Sequence, residues 1–168
     1  FFKPNKHAEK FNINTSLHST VDLLGAQFKN HNIQIKIRCE DGLNIKGFQG
    51  EFSQVILNLL NNAKDILLDR QVEGPKINIS ALRTRDAIRI EVLDNAGGIP
   101  DTIINKIYDP YFTTKAEGKG TGIGLYMSKM IVENNMMGQL TAFNISDGAC
   151  FVIEIPLDNT EPVSMTKS

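Results

Sequence analysis

The sequence predicts an α+β domain, a two-layer sandwich in which a mixed, mostly antiparallel sheet of about five strands packs on about three helices. Two observations predict it. Segments with helical periodicity occur among short strand-like segments without a strict βαβ repeat, and two neighbouring strands form a hairpin. The chain has 168 residues, of which 41% are hydrophobic, so it can bury one substantial core and has little room for a second.

The chain divides into a linker, a domain and a tail. Residues 1–10 are polar apart from a leading Phe pair and contain a proline, which predicts a linker. The domain is expected over residues 11–157. The polar tail, 158–168, is expected to be disordered.

The first predicted helix runs from a cap at Thr15 or Ser16 to about Asn30, because apolar residues at helical spacing follow a hydroxyl side chain. Those apolar residues are Leu17, Val21, Leu24 and Phe28. A strand with one buried face is predicted next, because isoleucines alternate with polar residues. These isoleucines are Ile33, Ile35 and Ile37.

The most regular helix is predicted at about Glu51–Asp69, where eight apolar residues follow helical periodicity and predict core positions. These residues are Phe52, Val55, Ile56, Leu59, Leu60, Ala63, Ile66 and Leu67. Strands at about Lys76–Thr84 and Ala87–Leu93 follow, joined by a short polar turn. They predict a β-hairpin.

A long irregular segment, Asp94–Gly124, separates this hairpin from the last elements. It is rich in Gly, Asp, Thr and Lys apart from a short helical stretch near Asp101–Tyr108, and such segments in compact domains are usually functional loops or lids. A helix at about Ile123–Asn134 and strands near Gln139–Asn144 and Ala149–Ile155 complete the pattern.

Composition excludes several classes of function. The net charge is −1 with acids and bases interspersed, so no basic patch points to nucleic acid or to a membrane surface. No apolar run approaches the roughly 20 residues of a membrane helix. Cys39 and Cys150 have no partners at metal-ligand spacing, so neither zinc nor a disulfide framework is indicated, and a cytoplasmic setting is favoured.

Two asparagines, Asn58 and Asn62, lie four positions apart on the second predicted helix. Their side chains therefore project about 40° apart on one edge of its apolar stripe. Amide oxygens suit a Mg²⁺ ion that phosphate oxygens already hold. The alternative is that both belong only to the polar face of an amphipathic helix.

Asp94 ends a predicted strand and precedes a turn that contains Gly97 and Gly98. A carboxylate there can accept a hydrogen bond from an exocyclic amine such as that of adenine, while the glycines let the backbone approach a ligand. An ordinary Asp-Asn turn is the alternative.

The run Gly118–Leu125 leads directly into the third predicted helix. Open backbone N–H groups and the positive helix N-terminus predict a di- or triphosphate site, with a flexible linker as the alternative. The run is not a Walker A loop, because Gly120 follows Lys119 where Ser or Thr is required, and it does not satisfy GxGxxG. Lys115 and Lys119 could neutralise phosphate charge while Phe112 anchors the lid, or both lysines could be solvated.

In this order the four segments resemble the N, G1, F and G2 boxes of the family that groups histidine kinases with type II topoisomerases, Hsp90 and mismatch-repair ATPases. The resemblance covers about Phe11–Pro156. The N box is QVILNLLNNA, 54–63, and the spellings DNAGGIP and PYFTTK are typical of bacterial sensor histidine kinases. The resemblance implies the Bergerat ATP-binding fold, with ATP and Mg²⁺ as cofactors.

The resemblance also implies roles for individual residues. Asn62 is expected to bind Mg²⁺ with help from Asn58, and both are expected to act in catalysis with Lys115. Asp94 is expected to accept the adenine amino group, and Gly98 to shape the adenine pocket. Other expected nucleotide contacts are Asp65, Ile66, Ala96, Ile99, Phe112, Thr113, Thr114, Gly118, Lys119, Gly120, Thr121, Gly122, Ile123, Gly124 and Leu125. Many sensor kinases place a basic and an aromatic residue where Asp65 and Ile66 occur, so which side chains support the phosphates and adenine stays open.

One position discriminates within that family. Its ATPases carry a Glu that activates water where this chain has Asn58, and an amide cannot accept that proton. Slow hydrolysis and transfer of the γ-phosphate to a histidine are therefore expected. The alternatives are a serine kinase of the anti-sigma-factor type and a non-catalytic nucleotide-binding interaction module.

None of the three histidines, His7, His18 and His31, fits a phosphoacceptor position. The expected partners are therefore a dimerisation hairpin that carries the histidine, from the same or a separate protein, and a response regulator downstream. Neither nucleic acid nor direct membrane contact is expected, and the isolated domain is expected to be a monomer. A membrane anchor elsewhere in the full-length protein stays open.

Overall fold

A computed structural model describes residues 7–115 and 122–157 of the chain. Within these ranges the helices are α1 (Ile13–Asn30), α2 (Gln49–Asp69) and α3 (Gly124–Met130), and α3 continues as a π-helical segment, Ile131–Asn135. The strands in the same ranges are β1 (Glu9–Asn12), β2 (Gln34–Cys39), β3 (Asn44–Gly47), β4 (Lys76–Arg83), β5 (Ala87–Asp94), β6 (Gln139–Ile145) and β7 (Gly148–Pro156).

The described strands form a main sheet and a smaller one. The main sheet has the order β2-β4-β5-β7-β6, in which β2 and β4 run parallel and every other pair is antiparallel. The predicted hairpin is β4–β5. The smaller sheet is the antiparallel pair β1–β3. The predicted α+β fold with a mixed, mostly antiparallel sheet is confirmed.

One face of the main sheet packs into the core. Along β5, Ile88, Ile90 and Val92 are buried, whereas Arg89 and Glu91 between them form an ion pair on the other face. The helices pack into the same core. The buried residues of α2 are Phe52, Val55, Ile56, Leu59, Leu60, Ala63 and Leu67. The eighth residue predicted for the core, Ile66, is half-buried and packs against the cluster.

The N-cap of α1 differs from the prediction. The helix begins at Ile13, and the Oδ1 atom of Asn12 accepts a hydrogen bond from the Thr15 backbone N–H at 2.9 Å. Ser16, one of the two predicted caps, is fully buried instead. Asn12 has an extended backbone and a short polar side chain, which lets it cap the exposed N–H groups one turn earlier.

The boundaries of the domain also differ. Glu9 and Lys10, assigned to the linker by the sequence, belong to β1 and pair with Gly47 and Lys46. Neither β1 nor β3 was predicted. The predicted disordered tail, 158–168, and the first six linker residues lie outside the described residues.

The short helix predicted at 101–108 does not form. The segment makes successive turns instead, in which the Ile103 N–H donates to the Pro100 carbonyl at 3.0 Å and the Lys106 N–H to the Ile103 carbonyl at 2.8 Å. A chain of turns also places apolar residues three or four positions apart on one side of the chain, so this spacing does not distinguish successive turns from a helix. No helix in the described residues is long and apolar enough to cross a membrane.

Candidate functional site

Asn58 connects α2 to the start of α3. Its side-chain amide donates to the Gly124 carbonyl at 3.3 Å and to Ser128 Oγ at 3.0 Å, while its oxygen accepts from Gln54 Nε2 at 2.9 Å. Ser128 is fully buried, so this contact lies at the inner side of α3. Two of the predicted segments, the N box and the end of the glycine run, are thus in direct contact.

Asn62 lies one helical turn after Asn58 and is half-buried. No hydrogen-bond partner of its side chain occurs among residues 7–115 and 122–157. An amide oxygen in this position can therefore serve as a ligand without first leaving a protein partner.

Asp65 and Lys115 form an ion pair across the site. Lys115 Nζ lies 2.5 Å from Asp65 Oδ2, and Lys64 lies 3.9 Å from the other carboxylate oxygen. Both members of the Asp65–Lys115 pair are about one-third exposed, so water weakens their attraction. The next α2 residue, Ile66, packs against the core and makes no polar contact of its own through its side chain.

Asp94 is a buried carboxyl group at the end of β5, only 5% exposed. Its Oδ1 atom accepts from the backbone N–H groups of Ala96 at 2.9 Å and Ala149 at 3.4 Å. Burial raises the pKa of Asp94, as does the charge of Asp147, whereas these two hydrogen bonds and the Arg70 guanidinium oppose the rise. In the described part of the chain no hydrogen bond occupies Oδ2, which leaves that oxygen for a ligand donor.

The loop after Asp94 has a backbone that requires glycine. Gly97 and Gly98 have φ angles of +96° and +88°, in the region that other residues rarely adopt. The Gly97 N–H donates to the Asp147 carbonyl at 2.6 Å. A Cβ atom at Gly148 would collide with the Asp94 carbonyl oxygen, so the β6–β7 turn packs directly on this loop.

Two side chains outside the predicted site hold the same loop. Arg70, which follows the last residue of α2, donates from Nη1 to the carbonyls of Ala96 at 2.6 Å and Gly98 at 2.8 Å. Asn144 of β6 accepts from the Ile99 N–H at 2.7 Å and donates to the Ile99 carbonyl at 2.8 Å. Sequence reasoning missed both, because backbone contacts between residues 26 to 45 positions apart leave no local pattern.

The F segment, residues 110–115, packs against Gly122, the first residue of the described range 122–157. The Tyr111 N–H donates to the Gly122 carbonyl at 2.9 Å, and both residues have positive φ angles, +66° and +68°. A Cβ atom at Gly122 would collide with the Tyr111 backbone. Phe112 packs against the core, in line with the anchoring predicted for it.

Some of the other predicted site residues lie within the described ranges and others do not. Thr113 Oγ1 accepts from the Lys115 N–H at 3.0 Å, whereas Thr114 is exposed. The Ile123 carbonyl accepts from the Met127 N–H at 2.8 Å as α3 begins, and Leu125 packs against the core. Gly118, Lys119, Gly120 and Thr121 lie outside the described residues.

A single helix therefore touches every predicted segment whose residues are described. Through Asn58, Asp65 and Arg70, α2 contacts the start of α3, the end of the F segment and the loop after Asp94. A shallow groove of about 460 Å³ between α1 and β2 is lined by none of these residues. The residues around α2 are the candidate nucleotide site.

Comparison with known proteins identifies the domain. Residues 47–159 match the family of histidine kinase-, DNA gyrase B-, and HSP90-like ATPases. The two-component sensor PprA of Pseudomonas aeruginosa is 39% identical over 139 residues, which are 80% of this chain and 15% of that protein. Sporulation kinase A of Bacillus subtilis is 31% identical over 157 residues, 92% of this chain and 25% of that protein. The chain spans a quarter or less of these two relatives.

A solved structure agrees with the sequence relatives. The nucleotide-free catalytic domain of histidine kinase ThkA has a TM-score of 0.79 and 28% identity, over 90% of this chain and 96% of that one. The matched range, 47–159, contains the N, G1, F and G2 segments, so the family resemblance drawn from those segments is confirmed. The chain belongs to the family of histidine kinase-, DNA gyrase B- and HSP90-like ATPases, and within that family it resembles the catalytic domains of sensor histidine kinases.

Proposed function

We propose that this domain holds Mg-ATP against α2 and presents its γ-phosphate to a histidine on a separate dimerisation hairpin. The observation that carries the proposal is that α2, which bears the expected metal ligand, and Arg70 just after it contact the three segments expected to bind adenine and phosphates. In this arrangement catalysis is mainly a matter of position and charge neutralisation.

Asp94 is the proposed adenine contact. Its Oδ1 atom is held by two backbone N–H groups, which orients the carboxylate and leaves Oδ2 to accept the amino group of adenine. Gly98 and Ile99 lie in the adjoining loop, where the glycine backbone allows close approach of a planar base.

Asn62 is the proposed Mg²⁺ ligand, with Asn58 nearby. The half-buried Asn62 amide has no hydrogen-bond partner in the described part of the chain, and neutral oxygens suit a metal ion that arrives with the nucleotide. When bound, Mg²⁺ would neutralise charge on the transferring phosphoryl group.

Lys115 is the proposed phosphate contact of the F segment. In the described structure its ammonium group is paired with Asp65, so it must exchange that carboxylate for phosphate oxygens when nucleotide binds. The exchange costs little because the pair is partly exposed. Thr113 already fixes the backbone at Lys115 through its hydroxyl group.

The proposed reaction is phosphoryl transfer to an imidazole. The unprotonated nitrogen of the acceptor histidine attacks the γ-phosphorus, the bond to the bridging oxygen breaks, and ADP leaves. That nitrogen needs no base, which agrees with an amide at Asn58 where the related ATPases have a carboxylate.

The partners follow from this reaction. A neighbouring solved structure is that of histidine kinase ThkA in complex with the response regulator protein TrrA, at 26% identity and a TM-score of 0.73. By analogy, the phosphoryl group passes from the hairpin histidine to a response regulator. The proposal places the domain in the cytoplasm as a monomer when isolated, with no contact to nucleic acid or membrane.

The first test is calorimetric titration with a non-hydrolysable ATP analogue, with and without Mg²⁺. The native domain is expected to bind one equivalent in a Mg²⁺-dependent manner. Asp94→Asn should weaken binding at least about tenfold, because a hydrogen bond to a charged acceptor is lost. Asp86→Asn, in the exposed β4–β5 turn, is the matched control.

Absence of binding by the folded native domain would contradict the proposal. Where binding is present, transfer is tested by adding a histidine-bearing hairpin and labelled ATP. The product should be acid-labile, as phosphohistidine is, whereas an acid-stable product would indicate a serine kinase. Binding without transfer to any hairpin would indicate an interaction module.

A further inference from the structure

The loop after Asp94, residues 95–99, is held from two sides by side chains that belong to none of the four boxes. We infer that Arg70 and Asn144 are positioning residues for the nucleotide, which fix this loop in its binding conformation before ATP arrives. The inference rests on the proposed function, in which Asp94 and this loop receive adenine.

Arg70 restrains the loop on the side of α2. One guanidinium nitrogen, Nη1, donates to the carbonyls of both Ala96 and Gly98, which flank Gly97. Hydrogen bonds from a charged donor are stronger than neutral ones. Because Arg70 directly follows α2, the loop is tied to the same helix that carries the asparagines of the N box.

Asn144 restrains the loop on the side of β6. Its amide makes a closed pair of hydrogen bonds with the N–H and the carbonyl of Ile99. A Cβ atom at Gly98 would lie 2.8 Å from Asn144 Oδ1, so this amide also packs tightly against the neighbouring glycine. The two side chains thus hold the loop backbone at three positions, Ala96, Gly98 and Ile99.

The loop needs this external restraint because of its composition. Paired glycines have more backbone freedom than any other residues, and that freedom must be lost when a rigid base is bound. If Arg70 and Asn144 order the loop in advance, ATP binding does not carry that cost. Removing either side chain should therefore weaken nucleotide binding with little change in the bonds made to the nucleotide itself.

Arg70 also acts on the charge of Asp94. The charged groups that act on this carboxyl are Arg70, which lowers its pKa, and Asp147, which raises it. Loss of the guanidinium should therefore move the acid limit of nucleotide binding to higher pH. Asn144 is neutral, so its loss should leave that limit unchanged.

The test compares Arg70→Met, Arg70→Lys and Asn144→Ala with the native domain, using Arg85→Met in the exposed β4–β5 turn as the control. Calorimetry with ADP and with the non-hydrolysable ATP analogue should show about tenfold weaker binding for Arg70→Met and Asn144→Ala. The factor should be equal for the two nucleotides, because the loop serves the adenine end. Arg70→Lys keeps the charge and should recover the native pH profile but only part of the affinity.

In a phosphotransfer assay the same variants should raise KM for ATP and leave kcat at saturation unchanged. Native affinity in both Arg70→Met and Asn144→Ala would overturn the inference, as would a fall in kcat without a change in KM. If Arg70→Met does not fold, Arg70→Lys and Asn144→Ala carry the same test. Failure of the proposed function looks different, because the native domain itself would then bind no nucleotide.

Discussion

The carboxyl group of Asp94 lies in a buried environment that disfavours its charged form. It is 5% exposed, and burial is the largest influence on its pKa, which lies above the ordinary value of 3.8. Two backbone N–H groups and Arg70 offset part of that effect. A group that is costly to the fold and central to a predicted ligand contact is typical of functional sites.

The stability of the nucleotide-free domain should show this cost as a dependence on pH. The raised pKa means that the folded state holds the Asp94 proton more tightly than the unfolded state does, so the ionised group lowers stability at neutral pH. The penalty disappears as the pH falls through the window between the raised pKa and 3.8. Asp94→Asn retains an oxygen for the Ala96 and Ala149 N–H groups but has no charge.

Thermal unfolding of the native domain and of Asp94→Asn, measured from neutral pH to about pH 4, checks this prediction. The Tm difference should favour the variant most at neutral pH and shrink on acidification. Asp86→Asn, at an exposed turn, should show no such trend. A Tm difference that is constant over this range would contradict the assigned cause.

The amide at Asn58 should limit hydrolysis. Asn58→Glu supplies a carboxylate that can accept a proton from water, and general base catalysis of this kind can contribute about a hundredfold or more. We expect steady-state ATPase activity to rise at least about tenfold in this variant. The variant also loses the amide donor to Gly124 and Ser128, so its Tm should fall.

Asn58→Gln is the matched control for this measurement, because it keeps an amide and adds no base. Its ATPase activity should not rise above the native level. Rapid hydrolysis by the native domain, or an equal gain in the Gln variant, would contradict the assignment.

For single residues, residue type and spacing were enough to suggest candidate site residues. They did not reveal which residues contact one another. Asn58 and Asp94 could be proposed as site residues from the sequence because an amide pair at helical spacing and an acid before two glycines are local patterns. The pairing of Lys115 with Asp65, fifty positions away, depends on the tertiary fold. The same holds for Arg70 and Asn144, whose partners are backbone carbonyls and an N–H group with no sequence signature.

Among the elements, α1 shows how one side chain sets a helix boundary. Asn12 Oδ1 accepts from the Thr15 N–H at 2.9 Å and from its hydroxyl at 3.3 Å, and the Asn12 amide reaches Asn44 of β3 at 3.3 Å. The same side chain therefore caps α1 and ties it to the small sheet.

Asn12→Ala should lower the free energy of unfolding by about 1 kcal/mol, the usual effect of losing an N-cap. Chemical denaturation measures this change. Ser19→Ala, at an exposed position in the same helix, should change stability by less than about 0.5 kcal/mol. A larger loss of unfolding free energy in Thr15→Ala than in Asn12→Ala would instead indicate that Thr15 is the N-cap, as the sequence predicted.

The bounds of the long periodic elements were predicted to within about two residues, apart from the start of α1, whereas the shortest strands were not predicted at all. The α2 helix has seven buried residues on one stripe, which fixes its phase in the sequence. In contrast, β1 and β3 have four residues each and pair residues that are between 32 (Asn12 with Asn44) and 38 (Glu9 with Gly47) positions apart, so no alternation identifies them. The turns at 101–108 have the apolar spacing of a helix, but most of their backbone hydrogen bonds span three residues and one, from the Ile104 N–H to the Pro100 carbonyl, spans four.

For the whole molecule, the fold class follows from the sequence but the sheet order does not. A hairpin and three amphipathic helices require an α+β arrangement, because each apolar face must meet another. The parallel pairing of β2 with β4 spans a crossover through β3 and α2, and only the packed structure selects it. This pairing leaves β5, with Asp94 at its end, in the middle of the main sheet.

The contacts of α2 have a consequence for how the chain can vary in length. Asn58, within α2, and Arg70, just beyond its last residue, are twelve positions apart, so about 18 Å along the helix axis separates the contact with α3 from the contact with the loop after Asp94. Deletion of one residue between them would shorten that distance by about 1.5 Å and rotate one end against the other by about 100°. We therefore expect a change in length between Asn58 and Arg70 to disrupt the site more than a change of equal length in the exposed β4–β5 turn.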